Sequence, residues 1–200
     1  MKKKFLDSSV GLVRARGIYS EEQLEIIAYG LEGLYITITK LVVILLLAFL
    51  LNILGEVITL LATYNIIRSQ AFGIHASKSS YCLITSIIML LGGALLCKYL
   101  TINFGIKLAV SIICNICLYL FAPADTQKRP LINPRKRKKF KFVSTVLGLI
   151  YTILIAFFAN DIISNYLLIG MIEAVIMILP ITYKIFKMPY NNYKHYDYDV

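Results

Sequence analysis

Long apolar blocks constrain this chain more than anything else in it. One reads LVVILLLAFLLNIL, from Leu41 to Leu54, and another LITSIIMLLGGALL, from Leu83 to Leu96. A helix crosses a bilayer with about 20 largely apolar residues. Of the 200 residues, 58% are hydrophobic, and the mean hydropathy is +0.74; a soluble domain sits nearer half apolar. The expected fold is therefore all-α, a polytopic integral membrane protein of about six transmembrane or re-entrant helices with an N-terminal amphipathic helix.

The candidate membrane segments are 34–54, 56–68, 80–98, 101–121, 142–159 and 162–183. The second is the weak one. From Val57 to Ile67 there are 11 residues, roughly 16 Å of helix, against a hydrocarbon core about 30 Å thick. A broken or re-entrant helix is tolerated only where protein or a water-filled cavity covers it. Ahead of these segments, Ser20 and Gln23 fit a capping box. Leu24, Ile27, Ala28 and Leu31 then fall on one helical face. Residues 20–33 read as an amphipathic helix at the membrane surface, or alternatively as an inward extension of the first span. The whole chain, 1–200, reads as a single membrane domain. Residues 34–122 form its first helices, 123–141 a basic cytoplasmic loop, 142–183 the last two helices and 184–200 a tail. The basic opening MKKKFLDSSVGLVRARG has no apolar core and cleavage site directly after it, so no cleavable signal peptide is expected.

The net charge is +10. Basic clusters here flank apolar spans, which points to orientation and anionic lipid headgroups rather than nucleic acid. Lys2, Lys3, Lys4, Arg14 and Arg16 precede the first span. Arg68 and Lys78 lie between the second and third, a block from Lys128 to Lys141 precedes the fifth, and Lys184, Lys187 and Lys194 follow the last. With six crossings all of these share one face, and the positive-inside rule makes that face, with both termini, cytoplasmic. A four-crossing arrangement with two surface segments is the alternative.

Cys114 and Cys117 form a CxxC inside the apolar run AVSIICNICLYLF. A redox pair needs accessible thiols of lowered pKa, so these read as small packing residues. No cluster with the spacing of a metal site occurs, and neither metal nor cofactor is expected. His75 and Cys82 are different. A thiolate with a nearby imidazole is the combination a cysteine protease needs, the imidazole serving as base and then as acid. On one straight helix a separation of seven would put the two side chains on one face but about 10.5 Å apart along the axis, too far for a hydrogen bond of about 3 Å. A catalytic pair therefore requires a helix break between them.

The stretch GIHASKSSYC, Gly73 to Cys82, offers such a break. Ser77, Ser79 and Ser80 are all competent N-caps. With Ser79 or Ser80 capping the third span, Cys82 falls in its first turn. There the helix dipole and free amides lower a thiol pKa and can hold an oxyanion. Gly73 can adopt conformations closed to other residues. The plain alternative is a headgroup-level histidine and an inert packing cysteine.

The stretch RSQAFGIHASKSSYC, from Arg68 to Cys82, resembles the accessory gene regulator B family. Arg68, the Gly73-x-His75-Ala76 element and Cys82 seven residues after the histidine carry the likeness. Phe72 stands where that family often has a first glycine. FAPADTQKRPLIN, Phe121 to Asn133, and YSEEQLEIIAYGLE near the N-terminus extend the resemblance over nearly the whole chain. The resemblance implies a membrane cysteine endopeptidase in a bacterial cell membrane that processes a quorum-sensing peptide precursor. Cys82 would attack a precursor carbonyl with His75 as base, release the acidic C-terminal tail and retain a thioester. An internal Cys or Ser of the precursor would then close a thiolactone or lactone. The implied partners are a short precursor with an amphipathic N-terminus and an acidic tail, anionic lipids and a second copy of the chain.

Further residues have two readings each. Arg68 binds a substrate carboxylate or snorkels at a helix end. Asp125 orients His75 or is a loop aspartate beside Pro123. The run PRKRKKFK, Pro134 to Lys141, is an orienting charge block or attracts the acidic tail. Glu173 lies within the apolar run IISNYLLIGMIEAVIMILP, where an ionisable residue is costly. His195 reads as solvated tail. A peptide transporter working through Glu173, Lys107 and Glu56 is the competing function.

Overall fold

A computed structural model describes residues 2–15, 17–74, 79–126, 130–159 and 161–195, without the side chains of 2–4, 22, 79–82 and 195. The described residues form α1 (Lys2–Arg14), α2 (Glu21–Leu50), α3 (Leu54–Ala71), α4 (Ser79–Tyr99), α5 (Phe104–Phe121), α6 (Pro134–Phe157), α7 (Ile162–Ile176), α8 (Pro180–Ile185) and a 3₁₀ turn, Asn192–His195. They fall into two compact units, Met1–Leu50 and Leu51–Val200.

In the first unit, the capping box forms as the sequence predicts. The Ser20 amide donates to Gln23 Oε1 (3.0 Å) and the Gln23 amide to Ser20 Oγ (3.3 Å). The helix it opens does not stop at residue 33. α2 runs unbroken to Leu50, so 20–33 continues directly into the apolar span. Leu24 is buried and Ile27, Ala28 and Leu31 are half-buried. α1 was not anticipated. Its half-buried residues Leu6, Ser9, Val10 and Val13 recur at helical spacing, a signal overshadowed by the flanking charges. It packs on α2 through Phe5 and Tyr35, whose ring centroids are 5.2 Å apart. Arg14 Nη2 lies 2.6 Å from Glu21 Oε2.

The second unit is a bundle in which α3 lies against α4, α6 and α7, and α5 against α6 and α7. Ile67, Ala71, Leu118, Ile155, Leu168, Met171 and Ile178 form its core. Glycines set the close approaches. A Cβ on Gly170 would sit 2.6 Å from Thr63 Oγ1, and one on Gly93 2.7 Å from Leu60 Cδ2. Small residues are what allow membrane helices to meet this closely. Hydrogen bonds cross the same interfaces: Thr63 Oγ1 donates to the Tyr166 carbonyl (3.1 Å), and Tyr151 OH to the Thr63 carbonyl (2.9 Å). Such bonds average about 0.6 kcal/mol in membranes, so shape contributes at least as much as polarity.

Among the described residues, three helical stretches are long and apolar enough to cross a bilayer: Gln23–Leu50, Phe104–Phe121 and Pro134–Phe157. Leu83–Tyr99 and Ile162–Ile176 are shorter apolar helices. The chain is thus an all-α, multi-span membrane protein. Two expected boundaries are corrected. The basic stretch placed in a 123–141 loop is helical from Pro134, because Asn133 Oδ1 accepts from the amides of Arg135 (2.9 Å) and Lys136 (3.1 Å), and proline suits the first helical position. The segment 162–183 is broken after Ile176. Pro180 has no N–H for the Ile176 carbonyl four residues back, and Thr182 Oγ1 donates to that carbonyl instead (2.5 Å).

Candidate active site

α3 and α4 are separate helices, and Phe72–Ile74, which follow α3, are not helical. His75, Ala76, Ser77 and Lys78, where the break between His75 and Cys82 is expected, lie outside the described residues. Ser79 and Ser80 are the first two residues of α4, and Cys82 is the fourth, in the first turn. A first helical turn carries free amides and the positive end of the dipole.

The chain reaches residue 74 through a tightly specified path. Phe72 and Gly73 have φ of 60° and 109°. For phenylalanine this region costs on the order of 1–3 kcal/mol; its ring is held edge-on to Phe140, with centroids 4.9 Å apart. Phe72 thus adopts a backbone conformation natural to glycine. A Cβ on Gly73 would meet the Met177 carbonyl oxygen at 2.6 Å, so glycine is required there for space as well as for φ. The Gly73 amide donates to the Ala124 carbonyl (2.8 Å), and the Ala124 amide to Ala71 (3.0 Å), forming a parallel bridge with Phe72. The Ile74 amide donates to the Met177 carbonyl (3.0 Å). That carbonyl is available because α7 ends just before it. The Ile74 carbonyl in turn accepts from Arg68 Nη2 (2.6 Å). The residue before His75 is therefore tied through both of its backbone groups.

Arg68 is placed beside this segment, and its Nη1 is buried without a hydrogen-bond partner among the described residues. Its guanidinium lies 5.6 Å from the centroid of the Tyr64 ring. Asp125 is 5% exposed. Its carboxylate accepts from the amides of Leu131 (3.2 Å), Asn192 (3.1 Å) and Tyr193 (2.8 Å), with Arg137 Nη1 3.9 Å away. The described partners of its carboxylate thus belong to the 131 loop, α6 and the C-terminal tail. The C-terminal tail folds back: Asn192 is 3% exposed, and the Tyr193 ring lies 3.4 Å from the Arg137 guanidinium. Burial pushes the Tyr190 phenol above its ordinary value, with nearby Arg137 opposing. Nothing in the sequence pattern signals this docking. The Pro180 break that frees the Met177 carbonyl was readable from proline's missing N–H.

The basic run divides. Arg137 and Phe140 face inward, while Arg135, Lys136, Lys138 and Lys139 are exposed. The charged residues of the transporter reading are mostly engaged elsewhere. Glu56 pairs with Lys98 (2.7 Å). Lys107 Nζ donates to Ser164 Oγ (2.6 Å) and the Ala159 carbonyl (3.2 Å). Glu173 is 5% exposed, with Oε2 unpartnered. Cys97, Cys114 and Cys117 are free thiols within helices. Among the described residues no three His, Cys, Asp or Glu side chains group as metal ligands do.

Comparison with known proteins adds the family. Residues 9–179 match the model of accessory gene regulator B. A putative AgrB-like protein of Clostridium acetobutylicum is 34% identical over 168 residues, covering 84% of this chain and 80% of the relative. One from Listeria innocua is 30% identical over 171 residues, covering 86% and 84%. A putative AgrB-like protein 2 of Clostridium perfringens is 30% identical over 140 residues, covering 66% and 65%. No solved structure matches the chain. With the His75–Cys82 spacing, the multi-span helical fold and a family match over most of its length, the chain belongs to the accessory gene regulator B family.

Proposed function

We propose that this chain is a membrane cysteine endopeptidase and peptide cyclase that matures a quorum-sensing peptide precursor. Alongside family membership, the observation that carries the reading is the α3–α4 junction. Cys82 is the fourth residue of a new helix, and the chain leaves α3 through the non-helical, hydrogen-bonded residues Phe72–Ile74. A thiol at that position gains from the helix dipole and free amides.

In the first step His75 takes the Cys82 proton, and the thiolate adds to a precursor carbonyl. Amides of the first turn of α4 receive the oxyanion. The C–N bond breaks, His75 returns the proton to the leaving amine, and the acidic tail departs. The precursor remains as a Cys82 thioester. Its internal Cys or Ser then attacks that carbonyl, closing the ring as its own proton passes through His75 to the departing Cys82 sulfur. Thiolactone formation conserves bond type, so the second step needs water excluded rather than activated.

The exposed cations Arg135, Lys136, Lys138 and Lys139 suit an acidic peptide tail and anionic lipid headgroups. Six crossings would put this end of the bundle, with both termini, on the cytoplasmic side. The test uses purified protein in liposomes and a synthetic precursor with an internal cysteine and an acidic C-terminus. Cys82→Ala should abolish tail release and leave the precursor intact. Full cleavage by that variant would refute the thiol mechanism.

A further inference from the structure

We infer that Asp125 is a positioning residue, through which the docked C-terminal segment holds Gly73 and Ile74, the residues that lead to His75. The inference rests on the reading of His75 and Cys82 as the reacting pair. It differs from a role for Asp125 as a direct partner of the imidazole.

The connection is continuous. Asp125 follows Ala124, whose carbonyl receives the Gly73 amide and whose amide donates to Ala71. Asp125 is itself fixed from two sides. Its carboxylate collects the backbone amides of Leu131, Asn192 and Tyr193. Its carbonyl accepts from Tyr183 OH (3.0 Å) and Asn192 Nδ2 (3.5 Å). The tail is held in its turn by Tyr193 against Arg137 (3.4 Å) and Tyr190 edge-on to Tyr183, with ring centroids 5.0 Å apart. α8 closes the loop, because it starts just beyond the Met177 carbonyl that receives the Ile74 amide. Two backbone contacts on the approach to His75, at Gly73 and at Ile74, therefore end on segments that the tail braces.

A carboxylate acting directly on His75 would not need the tail. A carboxylate acting through Gly73 would. Asp125→Asn tests this with little change in volume, because it replaces one acceptor oxygen by a donor facing backbone N–H groups. Tyr193→Ala loosens the tail while keeping the Asp125 side chain and the backbone amide at 193 that donates to it. Tyr183→Phe removes one hydrogen bond to the Asp125 carbonyl and serves as the mildest variant should either of the others fail to fold. Hydrogen exchange of the full-length protein in detergent is followed at Gly73 and Ile74, with α5 as the internal reference. Tail release from the synthetic precursor is measured in parallel, with rates normalised to the amount of Cys82 that alkylates at completion.

Asp125→Asn and Tyr193→Ala should each speed exchange at Gly73 and Ile74 about 10-fold or more and leave α5 unchanged. Both should lower kcat by about 10- to 100-fold, the scale of a misplaced catalytic group, with KM within about 2-fold. Faster exchange at Asn192 and Tyr193 with Gly73, Ile74 and kcat at wild-type values would overturn the inference. So would a fall in kcat for Asp125→Asn that Tyr193→Ala does not share, which would mark a direct role. Wild-type protein that releases no tail would instead sink the proposed function, while the exchange comparison would still decide whether the tail braces Gly73.

Discussion

The two ends of the α3–α7 bundle manage their polar groups differently. At the end holding the α4–α5 and α6–α7 connections, charges close on one another. Glu56 meets Lys98, Lys107 is shared between Ser164 and the Ala159 carbonyl, and Asn165 Nδ2 reaches the carbonyls of Cys97 and Leu100, both at 3.1 Å. Among the described residues at the end holding the α3–α4 and α5–α6 connections, cations exceed their partners. There Asp125 is buried, Arg68 and Arg137 each keep a buried nitrogen without a hydrogen bond to a described residue, and more cations face outward on α6. The positive φ of Phe72 lies at this end as well. Positive φ and unpaired buried atoms occur at both ends, Asn52 and Asn165 Oδ1 lying at the first, so the contrast is one of charge. Under the proposed function the closed end is scaffold and the open end the place where a peptide is handled.

Substitutions can break that contrast, and the largest effect is expected at Gly73. Gly73→Ala places a Cβ against the Met177 carbonyl and forces alanine to a φ of 109°. Tail release should fall by at least about 100-fold, measured beside total alkylation of Cys82. A fall of less than 2-fold would mean that the turn does not govern the site. Next comes charge reversal of Arg135, Lys136, Lys138 and Lys139 to glutamate. KM should rise about 10-fold at low salt and approach wild type near 0.5 M salt, where screening lengths are only a few Å. Thiol reactivity should be unchanged, and an equal KM at low salt would remove the capture role.

At the closed end the effects move from activity to stability. Lys107→Met deletes the donor to Ser164 and Ala159 and should cost about 1–3 kcal/mol, seen as a lowered Tm. kcat per folded molecule should hold. A selective loss of kcat would show that this end takes part in the chemistry. Glu56→Gln should do least, because the ion pair with Lys98 is partly exposed. Its Tm should fall less than that of Lys107→Met, with tail release unaltered; a larger effect would favour a transport role for Glu56.

Much of the helical plan was legible in the sequence. The apolar blocks and the Ser20–Gln23 capping box follow from local rules: about 20 apolar residues to a span and amides seeking caps. α1 and the start of α6 were also local, carried by Leu6, Val10 and Val13 and by Asn133-Pro134, yet dense charge hid both. The length of α2 could not be read from residues 20–33, because an amphipathic turn and an inward extension share one periodicity.

Other features depend on segments far apart in the chain. Gly73 requires glycine because Met177, more than a hundred residues later, presents a carbonyl there. Met177 can do so because Pro180 ends the helix in front of it. Asp125 became a tail anchor rather than a free loop aspartate because Asn192 and Tyr193 return to it. Arg68 donates to Ile74 because the turn brings that carbonyl back over α3. The sequence alone determined which residue types could do thiol chemistry in a membrane, since residue type and spacing are local properties. The tertiary structure alone decided what holds the approach to His75, because those hydrogen bonds join backbone groups that carry no signature in the side-chain sequence.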